Sequence, residues 1–221
     1  MAKGETRMRK LVIMAVIVLA FTDLTQASVV VVKYDFGTYG NETLAPSETV
    51  AHITGGSFGY IGDGTTGFTD YSGNGEAYQA YGGWPDSVYA DYFYFDVTIE
   101  SGWKIDLDDI SVEFDASTTN MSGPDSAKVT YLGNPETIIN DNLEIGGSSW
   151  FGYGTYLAHP PTGLTGVVEF RIYGKGATAN GSFSIDNVIL NGTVSQIPEP
   201  ATMCLLVGLG GLALLRNRKF R

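Results

Sequence analysis

The sequence predicts an all-β fold: a single β-sandwich or jelly roll over residues 28–194, flanked by an N-terminal signal helix within 1–27 and a C-terminal transmembrane helix over 201–215. Three observations carry that expectation. Short runs alternate apolar and polar residues with period two, the mark of half-buried strands. Gly, Asn, Asp, Ser and Thr punctuate those runs at close intervals, as turns between strands do. No stretch between the two apolar ends sustains the i, i+3, i+4, i+7 spacing of an amphipathic helix. A domain of this length has room for about seven to ten strands.

At the front, Lys3, Arg7, Arg9 and Lys10 precede an apolar run over 11–21. That run of about 11 residues is too short for the ~20 of a spanning helix. Thr25, Gln26 and Ala27 follow it. Small side chains at positions −3 and −1 suit signal peptidase, so a secretory signal cleaved between Ala27 and Ser28 is expected. Met8-Arg9-Lys10 also supplies a sufficient basic start, so Met1 and Met8 are both candidate initiators.

Within 88–100, Tyr89, Phe93, Phe95, Val97 and Ile99 share one face of a strand, with Asp91 the exception. Tyr92, Tyr94, Asp96, Thr98 and Glu100 share the other. Residues 110–114 and 168–172 repeat the alternation, and 29–36, 127–132 and 183–190 are further strand candidates. The first and last strands are expected to pair or lie close.

Charge is placed unevenly. Eight of the 13 basic residues sit at the two ends, whereas 28–200 holds five basic and 22 of the 24 acidic residues, a net −17. Such a domain repels phosphate backbones, which excludes nucleic acid as a partner. Cys204, the one cysteine, lies in the C-terminal apolar run. The middle therefore has neither a disulfide nor a thiolate zinc site, and its core must stabilise it alone.

Several motif matches lack the context their chemistry requires. Gly62-Asp-Gly-Thr-Thr-Gly67 fits a dinucleotide fingerprint, but a loop rather than a helix is expected after it to receive a pyrophosphate. Gly55-Gly-Ser-Phe-Gly59 fits a hydrolase elbow, yet no helix follows and His159 is the only histidine beyond Ser57. No catalytic set is visible, and the domain reads as non-enzymatic. Asp106-Leu-Asp-Asp109 crowds three carboxylates, some of the oxygen ligands that a hard cation such as Ca²⁺ wants, but it lacks the spacing of an EF-hand loop and reads as a solvated turn between strands. Aromatics gather in two turn-rich stretches, Tyr71, Tyr78, Tyr81 and Trp84, then Trp150, Phe151, Tyr153 and Tyr156. Tyrosines and tryptophans among glycines are expected to pack over the β core; the alternative is that rings in such loops, Trp84, Trp150 and Tyr153 among them, stand exposed as candidate glycan contacts.

At the back, Pro198, Glu199 and Pro200 lead into fifteen uncharged residues, 201–215, and then Arg216, Arg218, Lys219 and Arg221. The two prolines hold the chain extended and withhold backbone donors, a form that a protease cleft can bind. The apolar run spans about 22 Å as a helix, short of a ~30 Å hydrocarbon core. The basic cluster acts as a stop-transfer end and stays cytoplasmic, which puts the acidic domain outside.

This tail, residues 195–221, closely resembles the PEP-CTERM sorting signal of Gram-negative bacteria, also labelled an ice-binding protein C-terminal domain. The resemblance implies processing near Pro198-Glu199-Pro200 by the membrane protease-transpeptidase exosortase, after the inner membrane has held the C-terminal helix. It also implies association with exopolysaccharide and biofilm. The closing segment, 170–173 and 183–192, resembles the end of jelly-roll domains of exported bacterial proteins, some of them carbohydrate-binding modules. That resemblance implies a structural Ca²⁺ held by Asp35 and Asp186. The expected function is a non-enzymatic cell-surface or extracellular-matrix protein without a cofactor. The alternative is a carbohydrate-binding jelly-roll module with a structural Ca²⁺.

Overall fold

A computed structural model describes residues 28–198, except 39, 71–75, 83, 85–89, 119–122, 133–135, 146–150, 157–160 and 177–180. The signal segment with Ala27, the remainder of the sorting tail from Glu199 through Pro200 and Arg216, Arg218, Lys219 and Arg221, and Trp150 lie outside the described residues.

The described chain is all β. In order it forms β1 (Val29–Tyr34), β2 (Gly37–Thr38), β3 (Asn41–Glu42), β4 (Glu48–Thr49), β5 (Ile53–Gly55), β6 (Gly59–Ile61), β7 (Thr65–Asp70) and β8 (Glu76–Tyr81). It continues through β9 (Tyr92–Ile99), β10 (Trp103–Thr118), β11 (Ser126–Leu132), β12 (Glu136–Glu144), β13 (Phe151–Tyr156), β14 (Val167–Lys175) and β15 (Ser182–Gln196). Five of these elements are two or three residues long; the other ten match the strand number expected.

Two antiparallel sheets enclose one core. The first runs β13-β10-β15-β1-β4, with β8 on β15 and β7 on β8. The second runs β12-β11-β14-β9-β5, with β6 also on β9. The first and last strands do pair, Val29 opposite Gly192 through Tyr34 opposite Val188. Strand β15 runs to Gln196, two residues past the boundary expected at 194, and a last backbone bond joins Ile197 N–H to the Gly102 carbonyl at 2.8 Å.

The alternation read from the sequence holds in β9, where Phe93, Phe95, Val97 and Ile99 are buried and Tyr92, Tyr94, Asp96 and Thr98 face away. The core they enter is rich in rings. Phe58 packs 5.9 Å from both Phe93 and Phe95, Phe95 stacks on Phe170 at 5.2 Å, and Phe93 meets Phe183 at 5.4 Å. Each such ring contributes about 1.5–3 kcal/mol by leaving water.

The two longest strands change parity along their length. In β15, Phe183 and Ile185 point inward, and then Val188, Leu190 and Val194 do. The switch falls at Asn187, whose φ is +48°, a left-handed conformation that Asn tolerates better than most residues. In β10, Ile105 and Leu107 are inward, and after a register shift Val112, Phe114 and Ala116 are. A bulge re-aims the strand so that a long twisted ribbon keeps an apolar face on the core.

Two local expectations are corrected. Asp106-Leu-Asp-Asp109 is not a turn between strands but part of β10 where its register slips. Asp106 accepts from Lys104 Nζ at 2.7 Å and from the Gly163 N–H at 2.6 Å, and Asp108 accepts from the Ser28 hydroxyl. Gly62-Asp-Gly-Thr-Thr-Gly67 runs into a strand rather than straight into a loop: β7 begins at Thr65, ends at Asp70 and pairs with β8, and the expected loop over 71–75 lies outside the described residues. The Gly55 to Gly59 stretch joins β5 to β6, both on β9, so its serine sits between strands and on no elbow.

Candidate functional site

The outward face of the second sheet collects the chemistry. Strand pairing sets the rows. Tyr92 lies opposite Tyr173, and Tyr173 opposite Lys128, across β9, β14 and β11. One step along, Tyr94 lies opposite Arg171 and Arg171 opposite Thr130. The next row sets Asp96 opposite Glu169. On the far side of β9, Ile61 stands opposite Tyr92 and Gly59 opposite Tyr94.

Three tyrosines thus share one patch. Tyr92 and Tyr173 have ring centroids 4.8 Å apart, and Tyr92 and Tyr94 6.4 Å. Tyr92 and Tyr94 are half-buried, while Tyr173 is only 5% exposed beneath its neighbours. The Lys128 ammonium stands 4.1 Å over the Tyr173 ring, and the Arg171 guanidinium 4.5 Å over Tyr92. Both arrangements let a cation use the negative face of a ring. Gly59 makes room for the Tyr94 ring: a Cβ on it would come within 2.6 Å of that side chain.

The polar groups between the rings are held in place. Arg171 Nε donates to Glu169 Oε1 at 2.5 Å, and its Nη1 donates to the Tyr173 hydroxyl at 3.2 Å. Burial opposes the charge on Arg171, but the bonds to Tyr173 and Glu169 outweigh it and hold the guanidinium firmly protonated. Burial, helped by the neighbouring Glu169 charge, pushes the Asp96 carboxyl above its ordinary range. The patch therefore combines flat apolar rings, fixed donors and carboxylate acceptors, the set that takes a hydroxyl-rich ring: C–H faces on the aromatics and hydroxyls on the charged groups.

A second polar contact lies on the core side of the same sheet, where Tyr60 of β6 stands opposite Phe93 and packs on Trp84. The Tyr60 hydroxyl donates to Asp91 Oδ2 at 3.0 Å and accepts from the Gly64 N–H at 3.3 Å. This contact explains Asp91, the exception in the alternation: 9% exposed, it precedes β9 and turns inward to Tyr60. Desolvation raises its carboxyl above the usual range.

The residues singled out from sequence fare differently. Trp84 is a correction. It is 4% exposed, its indole N–H donates to the Ala80 carbonyl at 3.1 Å, and its ring packs against Tyr60, Phe93 and Phe183. A ring so enclosed cannot meet a glycan. The side chain of Tyr153 lies outside the described residues, as does Trp150.

Asp35 and Asp186 are brought close enough to interact. Asp186 is 9% exposed, and its pKa is raised to about 6, chiefly by burial and further by the charges of Asp115 and Asp35, against the opposing effects of the Asn187 N–H and Lys33. The pair does not fit a Ca²⁺ cage. Asp186 Oδ1 accepts the Asn187 backbone N–H at 2.7 Å, and the Asn187 side-chain amide donates to Asp115 Oδ2 at 2.9 Å and Asp186 Oδ2 at 3.2 Å. Among the described residues, no three His, Cys, Asp or Glu side chains converge to hold a metal ion. The amide sits where several oxygens would have to turn toward a hard cation.

Sequence reasoning had the Tyr92/Tyr94 half of the tyrosine face, as the polar side of β9. It missed Tyr173, Arg171 and Lys128, whose alternation in β14 and β11 was visible but whose partnership with β9 was not.

No family model matches the chain, and no curated protein matches it. Solved structures do resemble it. The CBM22-1 xylan-binding domain from Paenibacillus barcinonensis Xyn10C gives a TM-score of 0.47 at 11% identity, over 79% of this chain and 99% of that one. A CBM4 structure gives 0.41 at 16% identity, over 63% and 86%. A family 29 carbohydrate-binding module gives 0.38 at 9% identity, over 75% and 90%.

Proposed function

We propose that this is an exported, non-enzymatic protein whose sandwich binds polysaccharide on the outward face of the second sheet. The observation that carries the reading is the patch of Tyr92, Tyr94 and Tyr173 framed by Arg171, Lys128, Asp96 and Glu169. Half-buried tyrosines grouped on a sheet face, rather than scattered singly, mark a contact surface.

The affinity retardation of the exported protein in gels containing polysaccharide tests this. Retardation by at least one polysaccharide, abolished by Tyr92→Ala with Tyr94→Ala, is the expected result. Mobility unchanged by every polysaccharide tried, or retardation that survives the double substitution, rejects the face as the site.

The two ends of the chain supply the proposed address. Signal peptidase removes 1–27, exosortase processes the tail at Pro198-Glu199-Pro200, and the protein ends at the cell surface or in the extracellular matrix, beside exopolysaccharide. The supporting features are the charge asymmetry of both ends and the short apolar run over 201–215. Deleting 198–221 should change the mature size and the location of the protein; identical processing and location in the deleted form would reject the sorting role.

A further inference from the structure

The tyrosine face also has a sign. Five cationic side chains stand against 22 carboxylates in 28–200. Three of the five, Lys128, Arg171 and Lys175, project from β11 and β14 on the outward face that carries the tyrosines. The remaining two, Lys33 and Lys104, belong to the other sheet, on β1 and β10. The carboxylates of this face are graded along the strands. Asp96 and Glu169 form one row at one end; at the other, Glu144 and Lys175 both stand opposite Ser126, and the Asp125 backbone N–H donates to the Lys175 carbonyl. Between them lie the row of Lys128, Tyr173 and Tyr92 and the row of Arg171 and Tyr94. Successive rows are about 6.8 Å apart, two residues of antiparallel rise.

We infer that the polysaccharide this face takes carries carboxylate groups, as a polyuronate does, with a carboxylate seated by Lys128 and Arg171 beside the tyrosine rings. The inference rests on the carbohydrate reading above. Its chemistry follows from the fixed guanidinium. Arg171 is clamped by Glu169 through Nε and by Tyr173 through Nη1, so its plane is set before any ligand arrives. A planar, fixed fork matches a carboxylate better than it matches a hydroxyl. The Asp96–Glu169 row repels a second carboxylate and accepts hydroxyls. An acidic sugar over the cation rows and hydroxyl donors over the acidic row satisfy the whole gradient.

A net −17 domain that binds a polyanion has a distinctive salt dependence. At ~0.01 M salt the Debye length is about 30 Å, so the whole domain repels the polymer. At ~0.15 M it is about 8 Å, and the polymer feels only the cations beneath it. At ~1 M, about 3 Å, those contacts are screened as well. Binding should therefore peak at intermediate salt. A face for neutral glycans has no reason to respond so.

The test is affinity electrophoresis of the full exported protein against a polyuronate, the same polymer after carboxyl reduction, and a sulfated polymer on a neutral backbone, at the three salt levels. The expected result is retardation by the polyuronate that is greatest at ~0.15 M and at least about ten-fold weaker for the other two polymers, roughly 1.4 kcal/mol. Lys128→Gln with Lys175→Gln should erase that preference while the melting temperature falls by no more than about 2–4 °C, the loss of the Lys128–Tyr173 contact, and Lys33→Gln on the other sheet should keep the preference. Equal retardation by the reduced polymer, or indifference to Lys128→Gln with Lys175→Gln, overturns the charge selectivity and leaves carbohydrate binding standing. Equal retardation by the sulfated polymer overturns the carboxylate assignment. Retardation by no polymer overturns this inference together with the reading beneath it.

Discussion

Replacing Asp186 with Asn should stabilise the protein above about pH 6 and give no gain below about pH 4. The buried Asp186 carboxyl, with Asp115 and Asp35 nearby, is carried from 3.8 to about 6. Such a group holds its proton in the folded state to a higher pH than in the unfolded state. Its contribution is thus fully present below pH 3.8 and is lost as pH rises through about 6. The full loss amounts to about 3 kcal/mol at neutral pH. The amide of the Asp186→Asn variant would remove that penalty, and its oxygen would still accept the Asn187 backbone N–H. The variant would lose the second acceptor now facing the Asn187 side-chain amide, which costs about 1 kcal/mol. A net gain of about 1–2 kcal/mol remains, or about 3–6 °C in melting temperature for a domain of this size. Thermal melts of parent and variant at pH 8 and pH 4 measure it, and the difference between the two pH values cancels the titration shared by the other carboxyls. If Asp186→Asn is destabilised at pH 8 as much as at pH 4, the reasoning fails, because the carboxylate charge would then be in use. In that case a chelator should also lower the parent's melting temperature.

Other consequences follow from the packing. Trp84→Ala should cost about 3–5 kcal/mol in a denaturant titration, because a ring enclosed by Phe93, Phe183 and Tyr60 leaves a cavity. A loss under about 1 kcal/mol would mean that the ring is not in the core. Gly59→Ala should lift the Tyr94 ring off β6 and weaken polysaccharide retardation several-fold, with less than about 1 kcal/mol of stability lost, since only a side-chain ring must give. Unchanged retardation would remove Tyr94 from the contact. Phe95→Ala should cost about 3–5 kcal/mol through lost packing with Phe58 and Phe170, measured in the same titration.

Much of this architecture was legible residue by residue. The alternation in β9 placed Phe93, Phe95, Val97 and Ile99 inward, and they are buried. Strands at 29–36, 127–132, 168–172 and 183–190 were found because their apolar period is plain, and each lies mainly within a strand of the sandwich. The hairpin of β7 and β8 was missed because Thr-Thr-Gly-Phe-Thr-Asp buries little and resembles a turn. The acidic run at Asp106 was misread because a bulge inside a long strand breaks the period just as a turn does. Trp84 stayed open between core and glycan contact because its neighbours in sequence are turn-like, whereas its neighbours in space, rings from β6, β9 and β15, put it in the core.

By itself the sequence determined the β class, the inward half of each clear strand and the concentration of carboxylates in the middle of the chain. It also carried the expectation of export. These are properties of the chain read in one dimension: a period of two, a charge count, an apolar length. Only the tertiary structure decided that Tyr92 stands beside Tyr173 and Arg171 beside Tyr94, because pairing joins β9 to a strand some 80 residues away. It likewise decided that Trp84 belongs to the core and that Asn187 bridges Asp115 and Asp186. Alternation says which residues share a face, but strand order and register decide whose face lies next to it.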